Sequence, residues 1–169
     1  LTIRLVEKRM PCGEPSGSKK TIYTLTDNFY RFWYHYIFAN KSYYEMLGEA
    51  DAAEEIIGDI SNFMGIAFED ICRQYLIRQA RLKKLPFVPA EIGKWWGNNP
   101  VIKAQDDVDI LALNRKRTEG IFCECKFTNK PMPMAEYDDL VIAAKAFPDT
   151  MKKHLMFISK GGFSTPVRR

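Results

Sequence analysis

The residues best placed to do chemistry lie in two apolar runs. Asp109 stands in Val108-Asp109-Ile110-Leu111-Ala112, and Glu124 and Lys126 alternate with two cysteines in Ile121-Phe122-Cys123-Glu124-Cys125-Lys126-Phe127. Side chains of a strand point to alternate faces, so Glu124 and Lys126 share one face and Cys123 and Cys125 the other. A hairpin through the charged turn Arg115 to Gly120 brings Asp109 beside Glu124 and Lys126. Carboxylates this close repel unless a cation lies between them, and a hard divalent ion, Mg²⁺ or Mn²⁺, takes oxygen ligands. Lys126 then stands where it can orient a water or balance charge as a phosphate is attacked. Those are the parts of metal-assisted phosphodiester hydrolysis. A further acid, Glu69, lies in the apolar helical stretch Gly65-Ile66-Ala67-Phe68-Glu69-Asp70-Ile71-Cys72. The plainer alternative is a Glu–Lys pair on a solvated strand, a surface Asp and a surface helical Glu. Against it, apolar strands crossed by helices have both faces mostly covered, so charges there need a reason.

The elements that must position these groups follow from periodicity. Ser61 is a candidate N-cap for a helix running to about Gln79, with Phe63, Ile66, Ala67, Ile71 and Leu76 toward the core. Strand-like pieces follow at Glu91 to Gly97, Val108 to Asn114 and Ile121 to Thr128, then a helix from Tyr137 to Phe147 and a strand from Leu155 to Ser159. The order α-β-β-β-α-β predicts an α/β domain with a mixed sheet over residues 61–169.

Two smaller segments precede it. Residues 1–27 read as two strands, Ile3 to Arg9 and Lys20 to Thr26, around a loop rich in Pro, Gly and Ser. Two strands alone are marginal in water, so this hairpin is expected to be a remnant of something larger, such as the wing of a winged-helix unit. Residues 28–60 read as linker helices. Asp27 caps an aromatic helix holding Phe29, Phe32, Trp33 and Tyr36 in one stripe, with Tyr30, Tyr34 and Phe38 beside it. Such rings can stack bases, but a helix packed on nearly all sides is the expectation. The acidic stretch Glu45 to Asp59 reads as a solvated connector.

The whole chain of 169 residues carries a net charge of +4, which neither requires nor excludes a nucleic-acid partner. Divided, residues 1–42 hold 7 basic and 3 acidic residues, 43–60 hold 6 acidic and no basic, and 61–169 hold 18 basic and 12 acidic. With 46% hydrophobic residues and 13% aromatics, the composition excludes a disordered chain. No run is long and apolar enough for a membrane span, and no signal peptide is visible. Without CxxC spacing, Cys12, Cys72, Cys123 and Cys125 read as small buried hydrophobes in a cytoplasmic protein. The opening Leu1-Thr2 without Met reads as a piece cut from a longer polypeptide.

The ordered set helix-Glu, strand-Asp, strand-E-x-K resembles the PD-(D/E)XK nuclease superfamily, with its restriction-endonuclease-like fold. Gly65-x-x-Phe68-Glu69, Ile92-Gly93-Lys94-Trp95-Trp96-Gly97, Asp107-Val108-Asp109-Ile110 and Glu124-Cys125-Lys126 resemble more closely the C-terminal domain of unknown function of archaeal-type P-loop ATPases, shared by archaea and bacteria. Tyr23-x-Leu25-x-Asp27-x-Phe29-x-x-Phe32-Trp33 resembles the linker that follows the winged helix in that family. The resemblance implies metal binding by Asp109 and Glu124, with the Cys125 carbonyl as a further ligand, Glu69 as the accessory helix acid and Lys126 as the catalytic lysine. It implies DNA, less so RNA, as substrate, and an upstream P-loop ATPase module as partner. Asp109 follows Val108, so the literal Pro-Asp is absent. No G-x-x-x-x-G-K-[ST] loop occurs, so these residues hold no ATP site of that kind. A catalytically inactive interaction or regulatory module of the same fold is the competing expectation. Candidate nucleic-acid contacts are Lys94 beside Trp95-Trp96, the hairpin tip Arg115-Lys116-Arg117, and Lys160, which is followed by Gly161 and Gly162. The two tryptophans are expected in the core, and the glycines leave room for a ligand to approach the backbone.

Overall fold

The computed structural model describes residues 5–15 and 17–165. Four strands form one sheet in the order β3 (Glu91–Asn99), β4 (Ala104–Leu113), β5 (Glu119–Lys126) and β6 (Lys152–Ser159). β3 runs antiparallel to β4 and β4 to β5, whereas β5 and β6 are parallel, so the sheet is mixed. The parallel step needs a crossover, and helix α4 (Met134–Ala144) lies within it. This is an α/β architecture with a separate antiparallel hairpin, β1 (Val6–Arg9) and β2 (Ile22–Leu25), ahead of it. The expected strand start at Ile3, and Ser16 in the loop, lie outside the described residues.

The sheet is apolar on both faces because each face meets a helix. On one side Val108, Leu111, Leu113 and Phe122 pack with Leu140, Ala143 and Ala144 of α4. On the other Ile110, Ala112, Ile121, Cys123 and Cys125 pack with Cys72 and Leu76 of α3 (Glu49–Arg81). All four cysteines are free and buried, as their spacing implied. Asn99, fully buried at the end of β3, donates to Asp106 Oδ2 at 2.8 Å and to the Ile142 carbonyl at 3.0 Å, tying the sheet edge to α4. It accepts from the Val101 amide at 2.9 Å, so its burial leaves no polar group unmet.

Helix α3 corrects the expected helix start at Ser61. It runs unbroken for 33 residues, through the acidic stretch and the apolar one together, so Ser61 is a helix-interior residue and not a cap. The break lies at Gly48, whose φ of 94° separates α2 (Ala39–Leu47) from α3 and favours glycine. Nothing between Asp59 and Asn62 forbids helix; a serine can occupy an interior position as well as a cap.

The aromatic segment also departs from expectation. Asp27 does cap α1 (Asn28–Phe32), accepting from the amides of Phe29 and Tyr30, but a π turn over Trp33–Phe38 follows before α2. Phe32, Tyr36 and Phe63 of α3 form the covered contact, while Phe29, Tyr34, Phe38 and Tyr43 are exposed. Rings around the whole circumference cannot all face one neighbour. The packing on nearly all sides is absent among the described residues.

The loop after β1 is tied into the sheet. The Cys12 amide donates to the Lys94 carbonyl at 2.8 Å, its side chain joins the core beside Trp95, and Arg117 at the β4–β5 turn donates to the Gly13 carbonyl at 2.8 Å. The hairpin is thus joined to edge strand β3 by its loop. No helix of the described residues is long and apolar enough to cross a membrane.

Candidate active site

The site begins where two strands part. β4 and β5 pair only as far as Ile110 opposite Cys123; beyond that β4 continues along β3, and β5 along β6. The gap leaves the Cys125 amide without a β4 backbone partner, and Asp109 Oδ2 accepts from it at 2.9 Å. On the opposite edge of β4 a bulge sets Asp109 and Ile110 against the single residue Lys94, between the pairs Gly93–Leu111 and Trp95–Val108. Bulges re-aim side chains, and here the Lys94 ammonium points at the acids.

Into this opening the chain directs Glu69 from α3, Lys94 from β3, Asp107 and Asp109 from β4, and Glu124 and Lys126 from β5. Together they line one cavity of about 400 Å³. Lys94 Nζ lies 3.1 Å from Glu69 Oε2, 3.0 Å from Asp107 Oδ2 and 3.2 Å from Asp109 Oδ1. Lys126 Nζ lies 3.0 Å from Glu124 Oε1 and 3.0 Å from Glu136 Oε2 on α4. Four acids against two lysines leave the cavity at net −2.

Burial, with the charge of Asp109 adding to it, pushes the Glu69 carboxyl up to about 7 against the pull of Lys94. Glu124 rises to about 7 for the same two reasons, opposed by Lys126. Burial disfavours both ammonium groups, yet the surrounding carboxylates outweigh it and hold Lys94 and Lys126 firmly protonated. Two carboxyls poised near neutrality beside two fixed cations suit proton transfer.

The four residues singled out from the sequence, Glu69, Asp109, Glu124 and Lys126, are therefore neighbours in space. Of the nucleic-acid candidates, Lys94 stands inside the acid cluster. Arg115, Lys116 and Arg117 lie at the turn, the other end of the hairpin from Lys126. Gly120 and Lys126 are six residues apart along β5, roughly 20 Å at strand rise. Arg117 is further occupied, 2.9 Å from Glu91. Lys160 lies close by: its amide donates to the Lys126 carbonyl and its ammonium sits 4.4 Å from the Phe127 ring. The backbone approach expected of Gly161 is to the chain itself. A Cβ there would meet the Lys130 carbonyl oxygen at 2.3 Å. Trp95 is core, against Phe147, while Trp96 is half-buried. Sequence reasoning did not single out Asp107 or Glu136. Asp107 had a signal, two positions before Asp109 on the same strand; Glu136 had none, since only the crossover brings α4 to Lys126.

Carboxylate oxygens are the donors a hard divalent cation takes, and those of Glu69, Asp107 and Asp109 surround the Lys94 ammonium, while Glu124 faces Lys126. No group of three or more His, Cys, Asp or Glu side chains among the described residues is set to hold a metal ion.

A family profile described as archaeal and bacterial proteins of unknown function matches residues 33–138, which include Glu69, Lys94, Asp107, Asp109, Glu124, Lys126 and Glu136. An uncharacterised protein of Methanocaldococcus jannaschii, MJECL04, is 34% identical over 127 residues, 75% of this chain. The match spans 27% of that relative's length. No solved structure matches the chain. The cavity is thus built largely from the segment shared with this family, and the chain belongs to it: archaeal and bacterial proteins of unknown function.

Proposed function

We propose that this chain is a nuclease-like domain of the PD-(D/E)XK superfamily, with the restriction-endonuclease-like fold, that hydrolyses phosphodiester bonds of DNA with Mg²⁺ or Mn²⁺. We infer also that it is the C-terminal part of a larger protein with a P-loop ATPase module, the β1–β2 hairpin being the wing of an intervening winged helix. The observation that carries the first reading is the convergence of Glu69, Asp109, Glu124 and Lys126 in one cavity where β4 and β5 separate. The second is supported by the relative, most of whose length lies outside the match.

In this reading Asp109, Glu124 and Glu69 would hold the cation, which would supply Lewis acidity to the phosphodiester and to an attacking water. The Cys125 amide fixes Asp109 by its 2.9 Å hydrogen bond. Lys126, kept charged by Glu124 and Glu136, faces the developing negative charge at phosphorus.

One observation favours a second reading, a nuclease fold kept as an interaction or regulatory module of the ATPase. Lys94 already pairs with three carboxylates, as in a structural ion-pair network. Calorimetric titration of Mg²⁺ into the wild type and Asp109→Asn separates the two. Nuclease function predicts a binding heat that the variant loses; a wild type without binding heat supports the inactive module.

A further inference from the structure

A second, larger cavity of about 720 Å³ lies between the hairpin, α1 with its π turn, and the first half of α3. This is within the range of ligand sites, roughly 300–1,000 Å³. Its wall carries the rings of Tyr23, Tyr34 and Phe63 and the guanidinium groups of Arg9 and Arg31. Tyr23 is 72% exposed and Tyr34 47%, so neither ring is spent on the core. Arg31 holds the hairpin, donating through Nε to the Leu25 carbonyl at 2.6 Å. Arg9 and Arg31 share the single carboxylate of Asp70 at 3.5 and 3.4 Å, and Arg9 also pairs with Glu7. Asp59, the acid in the wall, is engaged by the Tyr36 hydroxyl at 2.7 Å and by Asn62 at 2.8 Å. Both guanidinium groups are thus partnered by carboxylates, and what they add to the wall is their planes beside the exposed rings.

The two cavities adjoin. Asn62 lines both, and further along α3 lies Gly65, where a Cβ would meet nothing within 4 Å. Gly65 belongs to the lining of the acid cavity and leaves its rim beside Asn62 open. Rings offer stacking to any base face, and guanidinium offers both charge to a phosphate and a plane to a base.

We propose that this cavity is a subsite for an unpaired nucleobase of single-stranded DNA, seated next to the phosphodiester held in the acid cavity. This rests on the reading of the acid cavity as a phosphodiester site and deepens it: the substrate class is single-stranded DNA, or a single-stranded flap, in preference to closed duplex. A base held in a duplex stack presents only its edges, whereas these rings need a base face.

The test is fluorescence anisotropy with a labelled single-stranded DNA oligonucleotide and the blunt duplex of the same sequence, using the 169-residue chain in EDTA, so that no cleavage is needed. The expected result is tighter binding of the single strand than of the duplex, weakened about tenfold by Tyr23→Ala and by Tyr34→Ala. Tyr23→Phe keeps the ring and restores the affinity, and an exposed tyrosine can be replaced without unfolding the protein. Single-strand affinity unchanged in both alanine variants, or duplex bound as tightly as single strand, overturns the subsite. The two readings fail separately. Wild type that prefers the single strand through these tyrosines but never cleaves it with Mn²⁺ keeps the subsite and loses the hydrolysis. Wild type that cleaves while its alanine variants bind normally loses the subsite alone.

Discussion

At the acid cavity, six charged side chains are drawn under partial cover by the sheet and its helices. Along Phe29 to Phe38, large aromatic rings stand in solvent. Both regions place residues against the usual partition, but they settle the cost differently. The charges answer one another: Lys94 meets three carboxylates and Lys126 two. Among the described residues the rings are covered along the stripe where Phe32 and Tyr36 meet Phe63. The first region is complete within the chain as an ion-pair network, and a cation can compete for it. The second leaves apolar surface that something outside these residues would have to cover.

The widest gap between the two kinds of region is in packing. Phe122, fully buried between β5 and α4, should cost about 3–5 kcal/mol on replacement by Ala, enough to threaten the fold. Phe38, 61% exposed, should cost under about 0.5 kcal/mol. Urea unfolding of both variants checks this, and equal losses would remove the distinction drawn between the regions.

Lys94→Met tests whether the charges do answer one another. It strands Glu69, Asp107 and Asp109 without their cation, and destabilisation of about 1–3 kcal/mol is expected, below the range for a fully buried pair because Lys94 is 33% exposed. Added Mn²⁺ should restore part of that loss, read as a larger rise in melting temperature than in the wild type. A variant as stable as wild type, or one indifferent to Mn²⁺, breaks the picture of a cation position.

A further expected effect is on pH dependence. Glu69 and Glu124 titrate near 7 in the fold, above the ordinary carboxylate value of about 4.3. Between those values the folded state binds more protons than the unfolded one, so the contribution of these groups to stability falls as pH rises from about 4.5 to 7 and is level above. Below the unfolded value both states are protonated and the penalty is absent. Melting temperature followed from pH 5 to 8 should show a decline that Glu69→Gln and Glu124→Gln each flatten. A decline unchanged in both variants contradicts the assignment.

Much of this arrangement was legible in the sequence, because period-two alternation fixes which strand residues share a face. That placed Glu124 with Lys126 and Cys123 with Cys125, and the charged turn placed Asp109 nearby. The run of helix, three strands, helix and strand was legible for the same reason. What could not be read was non-local. The bulge that turns Lys94 onto the acids depends on pairing between β3 and β4, and the partner of Lys126, Glu136, depends on how the crossover returns α4 to the sheet. The break at Gly48 was missed because a cap signal at Ser61 competes with no penalty against continuing the helix. The aromatic segment misled because periodicity reports how many faces are apolar, not whether a neighbour exists to cover each.

The most direct test of the central claim is cleavage of end-labelled single-stranded and duplex DNA by the wild type, Lys126→Ala and Asp109→Ala with Mg²⁺ or Mn²⁺. The account predicts metal-dependent cleavage by the wild type that falls by at least about 10²-fold in either variant, the scale of losing a transition-state cation contact. A wild type that cleaves nothing with either metal, or variants that cleave as well as the wild type, would contradict it.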